Sequence, residues 1–219
     1  MKIGPDENWV LLGASSGLGQ AFAQLVSEHQ IPHRLISRKS EISYDFSEEN
    51  DWPHCLGQIR QWRPTRLFYF AGGGPWGPYQ EKKWSSHQWT YRVNLLFPAY
   101  LLANLKLGEM GQMTFVGSAV AEANPDPGAA SYASAKHGLC GLLTSLQKER
   151  SGVEPRGDLR LFSPGYLDTP LLPRSAWPRQ HPGLVKSPQA IAEFLFKWVQ
   201  DPEGADRHWK ETNNDGVGP

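Results

Sequence analysis

Several things are scarce in this chain. Of its 219 residues only two are cysteine, Cys55 and Cys140, and three are methionine. Two isolated cysteines fit neither a disulfide scaffold nor a metal cluster, so no metal ligands are assigned. Neither sign of charge is in excess, with 22 basic residues against 22 acidic ones. That balance leaves no footprint for a polyanion and argues against nucleic acid as a partner. No apolar run approaches the roughly 18 residues that a transmembrane helix needs, so no membrane partner is expected. The segment from Ile3 to Asn8 is polar, holds Pro5, and has no basic stretch followed by an apolar one. No signal peptide is therefore expected, and the chain reads as soluble and cytoplasmic. Internal repeats, low-complexity tracts and composition breaks are absent. One domain over residues 1–219 is expected, with a frayed tail at 213–219.

Tryptophan and proline are abundant, at nine and 18. Many fall in loops, as at Pro75-Trp76 and Trp177-Pro178. Rigid, flat residues there can wall a pocket or cover core edges, and the sequence supports both readings equally.

Short apolar runs alternate with helical patterns. Trp9–Leu12 reads as a buried strand, and Leu18–His29 as a helix with Leu18, Phe22, Leu25 and Val26 on one face. His33–Ser37, Leu67–Ala71, Met113–Val116 and Asp158–Phe162 read as further strands, several ending at glycine or serine. Helices are expected over Asp51–Arg63, over Trp89–Leu107 with a kink at Pro98, and over Tyr132–Arg150. A last helix begins at Ser187-Pro188, with serine as cap and proline in the first turn, and runs to about Gln200. This alternation predicts an α/β chain with a Rossmann-type, doubly wound parallel sheet. One connection is too short: only a few residues separate Ser37 from Ile42-Ser43-Tyr44, while a parallel crossover needs about a dozen. Either the 42–46 strand is vestigial or that part of the sheet is built differently.

The first strand runs into Gly13-Ala14-Ser15-Ser16-Gly17-Leu18-Gly19, which opens the first helix. Glycines here allow a tight turn and a close approach of backbone to a pyrophosphate. The helix N-terminus offers free N–H groups to phosphate. The second strand ends at Ser37-Arg38-Lys39. An acidic residue near this point suits the ribose diol of NAD, whereas a guanidinium suits the extra phosphate of NADP. With no upstream carboxylate beside it, Arg38 points to NADP, with Lys39 and Arg34 adding positive charge. The competing explanation is a solvated surface charge.

Tyr132 and Lys136 lie four apart on one helical face. An ammonium beside a phenol is expected to favour phenolate and lower its pKa, making tyrosine a usable acid or base. Ser118 ends a strand, and Asn94 is a polar residue inside an otherwise apolar helix. Taken singly these could be a packed aromatic, a surface charge, a cap and a satisfied core amide. Their shared order and placement argue for a constellation.

With these motifs in hand, the chain resembles a short-chain dehydrogenase/reductase over about residues 9 to 200. The Gly13-x-x-x-Gly17-x-Gly19 turn, Asn94, Ser118 and the Tyr132-x-x-x-Lys136 pair match that family's motifs. Ala71-Gly72-Gly73 stands at its Asn-Asn-Ala-Gly segment, Asp45 at its aspartate near the adenine, and Pro164-Gly165 and Thr169 at its nicotinamide-flanking segment. The resemblance implies an NADP-dependent oxidoreductase that reduces a small-molecule carbonyl. Tyr132 would then pass the proton, Ser118 orient the oxygen, Lys136 hold the nicotinamide ribose, and Asn94 fix the helix and a relay water. It implies cofactor contacts from Gly13, Ser15, Ser16, Gly17, Leu18, Gly19, Arg38, Asp45, Phe46, Ala71, Gly72, Gly73, Tyr132, Lys136, Pro164, Gly165, Leu167 and Thr169. A homodimer or homotetramer is implied as well. Alternatives on the same fold are a non-catalytic NADP-binding sensor or scaffold, and an epimerase or dehydratase.

Departures from the family pattern are the short 38–46 connection, the triple glycine Gly72-Gly73-Gly74, a small lid at about 170–187, and a poor strand at Arg207–Thr212. Pocket walls are expected from Gly74-Pro75-Trp76, Val120-Ala121-Glu122, Tyr166-Leu167 and Trp177. Glu122 there either selects a basic substrate or faces solvent.

Overall fold

In a computed structural model the chain is described over residues 6–106, 108, 110–149, 157–201 and 207–211. Leu107, Arg150, Thr212 and the 213–219 tail lie outside the described residues. The strands are β1 (Trp9–Leu12), β2 (His33–Ile36), β3 (Arg66–Tyr69), β4 (Gln112–Val116), β5 (Asp158–Ser163) and β6 (His208–Lys210). They form one parallel sheet in the order β2-β1-β3-β4-β5-β6. The helices are α1 (Gly17–Glu28), α2 (Trp52–Trp62), α3 (Trp84–Tyr91), α4 (Phe97–Asn104), α5 (Ala119–Ala123), α6 (Ala130–Glu149) and α7 (Pro188–Trp198). This is the expected doubly wound α/β architecture.

The strands read as continuous apolar runs because helices cover both sheet faces. Side chains alternate along β1. Trp9 and Leu11 pack with Phe22 and Val26 of α1 and with Ile191 and Leu195 of α7. Val10 and Leu12 pack on the other side with Ile59 of α2, Leu101 of α4 and Leu139 of α6. Burying a side chain of this size stabilises the fold by roughly 1.5–3 kcal/mol relative to exposure.

Charged groups close the other end of the sheet. Arg66, buried at the start of β3, pairs with Glu7 at 2.9 Å and donates to the Val199 carbonyl. Arg160 of β5 donates to the carbonyls of Trp198 and Asp201. The orphan carbonyls at the end of α7 thus meet cations, which also complement the helix dipole. At its start, the Ser187 hydroxyl accepts the Gln189 and Ala190 N–H groups, the expected cap.

The helix expected over Trp89–Leu107 begins earlier, at Trp84, and is not continuous. Arg92–Leu96 forms a π-turn between α3 and α4. Pro98 supplies no N–H, so the carbonyl of Asn94 cannot receive its ordinary helical bond. The Phe97 N–H reaches back five residues to Arg92, and the Tyr69 hydroxyl donates to the Val93 carbonyl at 2.6 Å. The irregular turn is therefore sequence-encoded and held by a core tyrosine, with Asn94 at its centre.

The short connection after β2 forms no strand. Ile42 makes a single parallel bridge to Ile36, after which the chain passes through Phe46 into α2. Phe46 stacks on Phe97 and contacts Tyr69, which buries its ring in the core beside β3. The poor strand at Arg207–Thr212 does pair, as the three-residue β6. Its anchor is Trp209, stacked on Phe162 at 4.4 Å.

Candidate active site

A cleft of about 290 Å³ opens at the C-terminal ends of the strands, where the chain order reverses across β1. Such switch points are where open α/β sheets bind ligands. Gly13 sits in it at φ +78°, and a Cβ there would lie 2.4 Å from the Ala71 nitrogen. Gly17, at φ +56°, opens α1. Ser16 caps α1 without a side-chain hydrogen bond, and no acidic residue lies in the first turn. The first N–H groups of this helix therefore face the cleft with no internal acceptor from the cap.

The cleft gathers nearly every residue the sequence assigned to it. Gly13, Ser15, Ser16, Gly17, Leu18, Gly19, Arg38, Asp45, Phe46, Ala71 and Gly72 line it from one side. Ser118, Tyr132, Lys136, Pro164, Gly165, Leu167 and Thr169 line it from the other. Two residues stand behind the wall. Asn94 is fully buried, and its amide nitrogen donates to the carbonyls of Gly73 and Thr90, each at 2.7 Å. Its Oδ1 accepts the Gly73 N–H at 3.2 Å. Asn94 and Gly73 thus shape the wall from within.

Ser118 lies two residues beyond β4 and caps α5, its hydroxyl accepting the Ala121 N–H at 3.3 Å. The same side chain stands near enough to the Tyr132 phenol to act on its pKa. Lys136 is buried; its ammonium donates to the Val116 carbonyl at 2.7 Å and lies 5.7 Å from the Tyr132 ring centre. Burial pulls the Lys136 pKa down to about 8, while Glu122 acts to raise it. Burial pushes the Tyr132 phenol up to about 12; Ser118 lowers it and Glu122 raises it further. The expected lowering of the phenol pKa by lysine is therefore not met. The ammonium is turned to a backbone carbonyl, and desolvation dominates.

Arg38 is exposed at the rim, and Asp45 stands 3.7 Å from its guanidinium. The sequence showed no upstream carboxylate beside Arg38; the downstream one is brought to it by the short 38–46 connection. Asp45 also accepts from the N–H and hydroxyl of Ser47, so its carboxylate is held in place.

Two expected pocket walls need correction. The Glu122 side chain is only 4 % exposed and does not line the cleft. It accepts the Ser163 hydroxyl at 2.6 Å and the Ser118 N–H at 3.1 Å, so it neither selects substrate nor faces solvent. Trp177 also stands outside the lining, its indole N–H donating to Asp126 at 3.0 Å. Pro75, Trp76, Tyr166 and Leu167 do form walls, joined by Trp89, Leu171 and Leu172.

Asp126 is a cleft residue that the sequence reading missed. It is buried and accepts from the Tyr166 hydroxyl at 2.7 Å. Its one sequence signal is a carboxylate in a proline-bounded loop between Ser118 and Tyr132. The segment after Thr169 is fastened by Arg179, which donates to the Thr169, Leu172 and Pro173 carbonyls and pairs with Asp168.

No protein-family model and no curated protein matches the chain. Solved structures do. A short-chain dehydrogenase from Streptomyces avermitilis has a TM-score of 0.78 at 19% identity, over 95% of this chain and 89% of that one. An alcohol dehydrogenase from the archaeon Thermococcus sibiricus, complexed with 5-hydroxy-NADP, has a TM-score of 0.78 at 20% identity, over 97% and 99% of the two chains. A 4-hydroxyisoleucine dehydrogenase complexed with NADH and succinate has a TM-score of 0.75 at 19% identity, over 91% and 95%. Sheet, switch-point cleft and whole-length superposition agree: this chain has the fold of the short-chain dehydrogenases.

Proposed function

We propose that the protein is an NADP-dependent oxidoreductase of the short-chain dehydrogenase/reductase family that reduces a small carbonyl compound. One observation carries this reading. Ser118, Tyr132 and Lys136 line the same cleft as the α1 N-terminus, whose cap leaves N–H groups free for phosphate. The residues present fit a dinucleotide. The glycine turn lets backbone come close, no acidic residue in the first turn of α1 repels phosphate, and Lys136 adds a buried cation. Bound NADPH would supply the hydride.

The chain's own groups handle the oxygen and its proton. A phenol pushed up to about 12 is held protonated at neutral pH, the form in which Tyr132 donates to a developing alkoxide. Ser118, beside it, orients that oxygen. Lys136 exchanges its bond to the Val116 carbonyl for a ligand hydroxyl and brings positive charge toward the phenol. Asn94 acts as a positioning residue through Gly73. The aromatic walls of Trp76, Trp89 and Tyr166 favour a flat, apolar carbonyl compound. Arg38 at the rim favours NADP, with Asp45 as its competitor for a phosphate. Assembly into a homodimer or homotetramer accompanies this reading, and light scattering checks it.

The test is NADPH oxidation with a panel of ketones, aldehydes and quinones. Turnover with at least one class is expected, and Tyr132→Phe should cut it by about 10²-fold or more while tryptophan quenching by NADPH persists. Unchanged turnover in Tyr132→Phe would sink the mechanism. Tight NADPH binding without turnover on any substrate would favour a sensor.

A further inference from the structure

Behind the cleft, three ligand-type side chains from distant parts of the chain converge. Glu122 comes from α5, Cys140 from α6 and His208 from β6, and their ligating atoms lie within 4.8 Å of one another. None of the three lines the cleft. The Glu122 side chain is 96% removed from solvent, being 4 % exposed. Its two oxygens are treated very differently. Oε1 accepts from the Ser163 hydroxyl and the Ser118 N–H. Oε2 is buried and receives no well-aligned hydrogen bond; its contact is His208 Nε2 at 3.2 Å, a ring nitrogen that also lies 3.2 Å from the Ser163 hydroxyl. A buried carboxylate oxygen shared only with a partly exposed imidazole is a costly arrangement that a bound cation would relieve.

We propose that Glu122, Cys140 and His208 form a binding site for a divalent transition-metal ion of the zinc class. The donor set of one thiolate, one imidazole and one carboxylate is what such an ion takes. At bond lengths of about 2.0–2.3 Å, tetrahedral ligand atoms sit roughly 3.2–3.8 Å apart. The His208–Glu122 separation already meets this, and the Cys140 thiol, which lies against Glu122, needs a shift of about 1 Å or less. Ser163 and the Ser118 N–H hold the far carboxylate oxygen, the outer-shell support that fixes a monodentate carboxylate. Water completes the fourth position. On binding, the Cys140 thiol gives its proton to solvent and the His208 Nε2 lone pair turns to the ion.

Such an ion acts as a strut. It joins the three-residue edge strand β6 to α6 one turn beyond Lys136, and through Glu122 to the backbone of Ser118. The site lies outside the dinucleotide cleft and does not depend on the reading of that cleft.

Cobalt(II) titration of the whole protein, with zinc as competitor, tests this. One equivalent should give a thiolate-to-cobalt charge-transfer band that zinc abolishes. Cys140→Ser, which keeps the buried Cys55, should lose the band. His208→Ala, or the conservative His208→Asn if alanine does not fold, should weaken binding at least tenfold. Zinc at about 100 times its Kd should raise the wild-type Tm by roughly 5–10 °C, and that of Cys140→Ser by nothing. A wild type with no band overturns the proposal, as does a band that Cys140→Ser or the His208 variant leaves intact. The cluster is then a Glu122–His208 contact beside a thiol.

Discussion

Asn94 and Gly73 hold each other at both ends of one amide: the Asn94 nitrogen donates to the Gly73 carbonyl at 2.7 Å, and the Gly73 N–H donates to Asn94 Oδ1 at 3.2 Å. Gly73 has φ +155° and is packed beneath Trp89, so a side chain there has little room. The triple glycine is thereby clamped from behind by the π-turn.

Removing the clamp has a calculable cost. Asn94→Ala leaves the Gly73 N–H and carbonyl buried without partners, at about 1–3 kcal/mol for each group. Urea unfolding should show a loss of about 2–6 kcal/mol. On the proposed function, kcat should fall with it, since Gly72 and Gly74 are displaced. A loss below about 0.5 kcal/mol would mean that the wall reforms its bonds elsewhere.

Gly13→Ala tests the turn itself. The new Cβ would meet the Ala71 nitrogen at 2.4 Å, and φ +78° adds backbone strain. Because the obstacle is backbone, β1 and β3 must part. Thermal melting should fall by about 10 °C or more, and quenching by NADPH should weaken in the same variant.

On the proposed function, Arg38 and Asp45 together set the cofactor choice. Asp45→Asn removes the carboxylate 3.7 Å from the guanidinium. The NADPH affinity should rise by up to about 5-fold, with NADH little changed. Arg38→Asp should reverse the ratio. Equal ratios of Kd for the two cofactors in all three proteins would remove Arg38 from the recognition of phosphate.

Lys136 gives the ligand-free protein a pH signature. Its pKa falls from 10.5 to about 8 on folding, so between these values the unfolded chain binds more protons and stability rises with pH. Below about pH 8 both states are protonated and the burial penalty is fully present. The stability difference between wild type and Lys136→Met should therefore move in favour of wild type from pH 8 to 10.5, by at most about 3 kcal/mol. A flat difference over that window, read by urea unfolding, would show the ammonium to be better solvated than its burial implies.

Much of the fold was legible because local rules and global structure agree. Trp9–Leu12, Leu67–Tyr69 and Met113–Val116 are too apolar to be anything but strands covered on both faces. Gly13, Gly17 and Gly19 then mark where backbone must turn and approach closely. Tyr132 and Lys136 lie on one helical face by spacing alone, and both reach the cleft. Pro98 announced a disturbance of its helix, although not the π-turn that answers it.

What stayed hidden depends on partners far apart in the chain. Asp45 reads, by resemblance, as the aspartate near the adenine; only the short, strandless connection after Ile36 brings it within 3.7 Å of Arg38. Glu122 reads as a pocket wall until Ser163 and His208, from β5 and β6, surround it. Arg207–Thr212 reads as a poor strand because its pairing energy comes from Trp209 lying on Phe162, not from its own composition. The sequence by itself determined the alternation of elements, the glycine turn and the Tyr132–Lys136 spacing, all governed by steric rules and periodicities within a few residues. Only the tertiary structure decided the charge state and surroundings of those groups. Desolvation and long-range pairing there hold the Tyr132 phenol high, turn Lys136 to a carbonyl, and gather Glu122, Cys140 and His208 behind the cleft.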